Sequence, residues 1–217
     1  MSEEGDPLAS SIPAQLMIGT REALADPPDP DLRLLELSRK GDAHAFETLF
    51  RKYQTYVYNI ALGMLGNGED AADITQETFL RLHRRLDSFR GDSSFSTWLY
   101  RVAVNLCITE LRRRGRSRFQ FLEDMAHDED PRSQEAGPSP VDVVELEEDR
   151  QVVHQVLRTL PPDYRAVMVL RHFQQLAYEE IAEVLGLSLS QVKTRLFRAR
   201  KMFKDRFTSY AGDNHAM

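Results

Sequence analysis

Residues 176–207, LAYEEIAEVLGLSLSQVKTRLFRARKMFKDRF, constrain the chain more than any other stretch, because two helical periodicities meet at one glycine. Tyr178 to Leu185 carries helix formers with Ile181, Ala182 and Leu185 along one side, and Gly186 follows directly. A glycine just past the last apolar position stops a helix. Ser188 or Ser190 can cap the next one, in which Val192, Leu196, Ala199, Phe203 and Phe207 recur at spacings of three and four. That stripe is a buried face, and the whole predicts a helix-turn-helix.

The opposite face of the second helix, at about 100° per residue, gathers Lys193, Thr194, Phe197, Arg198 and Lys201. A lysine- and arginine-rich face is usually just solvated. Here Phe197 stands outside the core stripe among cations, and the small Ala182 and the Gly186 turn favour close packing of the two helices. A helix entering the major groove needs long donors for guanine edges and phosphates and apolar contacts for thymine methyl groups. This face supplies both.

The overall charge of -6 and pI near 5.6 run against nucleic acid, but the charge is segregated. About six net negative charges fall in residues 1–31 and about ten in 123–149, which leaves about ten net positive on the remainder. The acid lies in linker-like sequence and the base in domain-like sequence. The single cysteine, Cys107, excludes a disulfide framework and a thiolate metal site, and the six histidines lack ligand spacing. No metal or cofactor is expected. The acidic start MSEEGDPL has no basic or apolar leader pattern and no run approaches membrane-spanning length, so a cytoplasmic protein is expected.

Residues 1–30 end in DPPDPD and read as a disordered extension, in which Ser10 to Leu24 could form a short helix on a partner. A short helix follows with Leu32, Leu34, Leu35 and Leu37, stopped at Gly41-Asp42. A longer one then carries Ala45, Phe46, Leu49, Phe50, Tyr53, Val57, Ile60, Ala61 and Met64 to Gly66-Asn67-Gly68. From Glu69 to about Asp87 a helix buries Ala71, Ile74, Thr78, Phe79, Leu82 and Leu86. Its outward side gathers Asp73, Gln76, Glu77, Leu80 and Arg84. An outward leucine framed by carboxylates and an amide is either a stray apolar residue or a docking face.

The loop DSFRGDSSFS carries Phe89, Arg90 and Phe95. Both rings either tuck into the core or make a stacking surface for an unpaired base. The helix from Ser96 to Arg114 is apolar on two sides, which leaves a narrow stripe of Arg101, Asn105 and Arg112 with Trp98 at its edge. Arg112, Arg113, Arg114, Arg116 and Arg118 close it as a phosphate-binding run or as a soluble helix end. Residues 119–142 read as an acidic linker, either a plain tether or a restraint on the basic domains. Helices follow over Val143 to Leu160 and, capped by Asp163, over Tyr164 to Phe173.

Two blocks, DAADITQETFLRLHRRLDSFRGDSSFSTWLYRVAVNLCITELRRR and LPPDYRAVMVLRHFQQLAYEEIAEVLGLSLSQVKTRLFRARK, resemble the extracytoplasmic-function branch of the sigma-70 superfamily, in order and spacing. The similarity spans roughly Asp31 to Phe207. It implies an all-α fold of two small helical domains, sigma region 2 over 31–118 and the region 4 helix-turn-helix over 143–208, joined by a flexible acidic linker over 119–142, with a tail over 209–217. It implies a monomeric subunit of bacterial RNA polymerase that starts transcription of a stress-responsive regulon under an anti-sigma factor. Carried over by position, Asp73, Gln76, Glu77 and Leu80 bind core polymerase. Phe89, Trp98, Arg101, Asn105, Arg112 and Arg113 serve the -10 element, with Asn105 and the Phe89 loop forming the pocket for a flipped base. Ser190, Lys193, Thr194, Phe197, Arg198 and Lys201 serve the -35 element. The thirty-residue extension is longer than this branch usually has.

Two other classes compete. A helix-turn-helix regulator acting on duplex DNA alone would not need the constellation between Asp87 and Arg114. A nucleic-acid enzyme would need a carboxylate cluster, metal set or nucleophile arrangement, and the predicted folded faces offer none.

Overall fold

The computed structural model describes residues 31–89, 91, 93–124 and 144–214, and among these there is helix and no strand. The first unit comprises α1 (Asp31–Arg39), α2 (Ala43–Leu65), α3 (Gly68–Arg84), a 3-10 turn (Leu86–Ser88) and α4 (Phe95–Asp124). The second comprises α5 (Val144–Thr159), α6 (Pro162–Met168), a π-helical turn (Val169–Phe173), α7 (Tyr178–Leu185) and α8 (Leu189–Asn214).

Short polar residues set the starts of α2 and α3, at positions that the sequence marks only as stops of the preceding helices. The Asp42 carboxylate accepts from the His44 and Ala45 amides at 2.9 and 3.1 Å, and Asn67 caps α3 in the same way. Gly66 ends α2 in the left-handed region at φ 70°, where any other L-residue would be strained. Inward stripes then meet: Leu49, Val57, Ile60 and Met64 of α2 pack on Phe79 and Leu82 of α3 and on Phe95, Leu99, Val104 and Cys107 of α4, all buried. Each such apolar side chain contributes about 1.5–3 kcal/mol on leaving water. Burial also pushes the Cys107 thiol up to about 12, so it is an inert core residue.

In the second unit Val153, Val156 and Leu157 of α5 and Leu160 just after it pack with Val167, Ile181 and Val184 onto the predicted stripe Val192, Leu196, Ala199 and Phe203. Four features differ from expectation. Asp163 does not cap α6: the N-cap is Pro161 with Pro162 at the first helical position, whose missing N–H costs nothing there. The helix does not run evenly to Phe173 but widens into the π turn after Met168. And α4 continues to Asp124, past the expected domain end at 118, while α8 runs to Asn214 through the expected tail. Neither extension contains a proline to stop it, and the Gly115 of α4 is tolerated within the helix. The predicted amino-terminal extension, with its possible Ser10 to Leu24 helix, and the linker over 125–143 lie outside the described residues.

The two units pack on each other. The π turn, α5 and α6 lie against the end of α2, and α7 and α6 lie against α4. The approach is close because the facing residues are glycines: a Cβ on Gly63 would come 2.8 Å from Val169 Cγ2, and one on Gly66 would meet the Arg158 side chain. Arg165, only 5% exposed, crosses the seam and donates to the carbonyls of Met64, Arg158 and Leu160. No carboxylate among the described residues pairs with it, and its guanidinium is pushed down to about 10 by burial and then by the Arg158 charge.

Candidate nucleic-acid interface

Helix α8 is held at its start by a reciprocal cap: the Ser188 hydroxyl accepts from the Gln191 amide at 3.2 Å, and the Gln191 side chain accepts from the Ser188 amide at 2.8 Å. Ser188, not Ser190, is therefore the capping serine, and Ser190 lies in the first turn, exposed. With Val192, Leu196 and Ala199 fixed in the core, α8 turns Lys193, Thr194, Phe197, Arg198 and Lys201 to solvent. Phe197 is 71% exposed, the most of the exposed large apolar side chains among the described residues. That exposure has no packing explanation, and the cations around it give it a chemical one.

On α4 the stripe of Arg101, Asn105 and Arg112 is also exposed. Its members differ in what holds them. Arg101 Nη2 donates to the Glu183 carbonyl of α7 at 2.5 Å, across the seam between the units. No partner for the Asn105 amide or the Arg112 guanidinium occurs among the described residues. Arg113 is tied to Glu110 at 2.7 and 2.8 Å, and Arg114 to Glu110 at 2.7 Å and to Asp70 at 2.6 and 2.8 Å. Hydrogen bonds from Arg113 and then Arg114 pull the Glu110 carboxyl down to about 2. Of the described arginines in this run, only Arg112 is thus without a carboxylate.

The loop before α4 resolves its two readings in part. Phe89 is 5% exposed and packs edge-on against Phe95 and Trp98, both with centroids at 5.9 Å. Phe95 is fully buried. Both rings therefore belong to the core in this conformation, and the ring with an open side is Trp98, half-buried at the edge of the stripe. Arg90 lies outside the described residues.

One end of the α4 stripe and part of the α8 face meet at one cleft. A cavity of about 610 Å³ between the units is lined from α4 by Ile108 and Arg112, from α6 by Asp163 and Tyr164, and from α8 by Ser190, Gln191, Thr194, Arg195 and Arg198. Arg195 approaches Asp163 at 3.7 Å. The cleft has roughly the volume of a small-ligand site. That volume suits a small molecule and is too small to hold a duplex.

A third exposed face lies on α3. Asp73, Gln76 and Leu80 are exposed on α3, Leu80 at 44%, with Glu77 beside them holding Arg81 at 2.7 Å. Gln76 also edges an apolar groove of about 340 Å³ formed with Phe50, Tyr58 and Thr75. Among the described residues no three His, Cys, Asp or Glu side chains gather as metal ligands would, and no helix is long and apolar enough to cross a membrane.

Sequence patterning did not find Arg165, Glu183 or Arg195, whose partners come from other helices; nothing local marks them.

The family model described as Sigma-70 region 2 matches residues 49–117, and that described as Sigma-70, region 4 matches residues 150–203. The chain is 36% identical to RNA polymerase sigma-H factor of Pseudomonas aeruginosa, over 80% of this chain and 91% of that protein. It is 38% identical to ECF RNA polymerase sigma-E factor of Escherichia coli (strain K12), over 79% and 91%. Among solved structures, CnrH in complex with the cytosolic domain of CnrY is similar at TM-score 0.60 and 25% identity, over 83% of this chain and 99% of that one. The sigma factor RpoE with the anti-sigma factor NepR from Bartonella quintana shares the fold at TM-score 0.57 and 22% identity, over 74% and 94%.

Proposed function

Because the chain belongs to the extracytoplasmic-function branch of the sigma-70 family, we propose that its three exposed faces divide the work of transcription initiation. The α3 face with Asp73, Gln76, Glu77 and Leu80 docks on core RNA polymerase. The α8 face with Ser190, Lys193, Thr194, Phe197, Arg198 and Lys201 holds the -35 element as duplex. The α4 stripe with Trp98, Arg101, Asn105, Arg112 and Arg113 holds the -10 element once it is melted, with Phe89 as the packed floor under Trp98.

The observation that carries this reading is the pairing, on one chain, of a cationic helix face around an exposed phenylalanine with a separate arginine and asparagine stripe beside an aromatic loop. A duplex-only regulator uses the first and has no need of the second. Flipping a base costs a few kcal/mol, and stacking on a ring returns about 1–3 kcal/mol per base. Strand opening therefore needs both the stripe and the binding energy of polymerase.

The chain performs no chemistry itself; polymerase does, in the cytoplasm. In the closed packing Arg101 is occupied by Glu183, and Arg112, Thr194 and Arg198 line a cleft closed to duplex. The two units must part before both promoter elements are bound. An anti-sigma factor that favours the closed packing would keep the chain silent.

Run-off transcription with purified core polymerase on a promoter library tests the assignment. Transcripts from a defined promoter class are expected only when the chain is added. A protein that shifts duplex promoter DNA yet gives no transcript with core would be a duplex regulator instead.

A further inference from the structure

Helix α1 lies before the residues matched by the region 2 model, and it carries an arginine that reaches the loop beside the α4 stripe. Arg39 Nε donates to the Leu86 carbonyl at 2.9 Å, and its Nη2 donates to the Phe89 carbonyl at 2.5 Å. These are the first residue of the 3-10 turn and the residue just after it. The Phe89 carbonyl, just past the turn, has no following helical N–H, and one guanidinium takes it together with the Leu86 carbonyl.

The mount of this arginine is rigid. Asp31 at the start of α1 is 2% exposed and accepts from Lys52 Nζ at 2.7 and 2.9 Å and from the Tyr53 hydroxyl, which fastens α1 to α2. Leu35 is fully sunk in the core, and Gly41, at φ 90°, makes the turn to the Asp42 cap of α2. The chain of contact then runs from Arg39 to the Phe89 backbone, from the Phe89 ring to Trp98, and along α4 to Asn105 about two turns away.

We infer that Arg39 is a positioning residue for promoter melting: it fixes the loop backbone so that Phe89 and Trp98 hold the shape of the base-capturing site. The inference rests on the reading of α4 and its preceding loop as the -10 site. Two donors set in a planar fork can span two carbonyls; a lysine, with one nitrogen, keeps the charge and loses the span. Arg39 is itself exposed, so the competing role is a simple phosphate contact, for which lysine would serve.

The test uses the full chain assembled with core polymerase. The probe is a labelled single-stranded oligonucleotide carrying the -10 sequence obtained from run-off transcription, alone and with an abasic site at each position in turn. The wild-type holoenzyme is expected to lose binding most at one position, the captured base. Arg39→Gln and Arg39→Lys should each bind the intact oligonucleotide about tenfold more weakly, the scale of one lost stacking contact. Both should match wild type on the oligonucleotide that lacks the captured base. Equal losses on both oligonucleotides, as general unfolding would give, or full retention by Arg39→Lys, would overturn the inference. If wild type is indifferent to every abasic position, the base-capture reading itself is wrong and the inference falls with it.

Discussion

The α8 face and the α4 stripe both present cations and an aromatic ring, yet they are built differently. On α8 the reading residues project from a helix whose other side alone is buried. Lys193, Phe197 and Lys201 need nothing else to be ready for a groove. On α4 the site draws on tertiary contacts: Phe89 is packed under Trp98 and Arg101 is held by α7, while Asn105 and Arg112 stand exposed without a side-chain partner among the described residues. Duplex DNA offers a regular surface that a preformed helix can fit, whereas an unpaired base must be met by a pocket assembled from several segments. The proposed duplex-reading face is local, and the proposed melting site draws on several segments.

The largest expected effect comes from a face that belongs to neither surface. Leu80→Glu places a charge at the centre of the α3 face and is expected to weaken core binding by about 2–4 kcal/mol, measured by competition for fluorescent core. Thermal unfolding should hardly move, because Leu80 is already exposed. Loss of both promoter contacts together would then follow from loss of polymerase and would leave the comparison intact.

Gly63→Leu addresses the seam itself. Leucine favours the helix of α2 but has no room against Val169, and overpacking of this kind costs about 1–3 kcal/mol. The closed packing should open, seen as a larger radius of gyration in X-ray scattering and about tenfold better binding of a -35 duplex without polymerase. An unchanged radius would mean that the cleft does not restrain α8.

Glu110→Gln gives the smallest effect. The Glu110 carboxyl lies below its usual value in the folded chain, so its stabilising contribution is present above about 4.5 and is lost as pH falls towards about 2. The pair with Arg113 faces solvent, so the contribution is small. The variant should flatten the acid limb of stability between these values and leave pH 7 binding by α8 untouched.

This difference also sets how much was legible in the sequence. The α8 face could be read from spacing alone because its burial stripe and its exposed side follow one period. The stripe of α4 was legible for the same reason. The state of Phe89 was not, because whether a loop ring turns in or out depends on Phe95 and Trp98, which belong to the next helix. Arg39 reads as a basic residue in a last helical turn, and its loop partners lie 47 and 50 residues away. Arg165 reads as an ordinary surface cation on a short helix; only the close approach at Gly63 and Gly66 explains its burial.

The division of labour is tested most directly by open-complex formation, followed by permanganate reactivity of the -10 thymines, on an intact promoter and on one pre-melted at -10 without its -35 element. Arg198→Ala should lose about 1–3 kcal/mol on the intact promoter, concentrated at one -35 position, and nothing on the pre-melted one. Asn105→Ala should lose on both. Equal losses for the two variants on both templates would contradict the account.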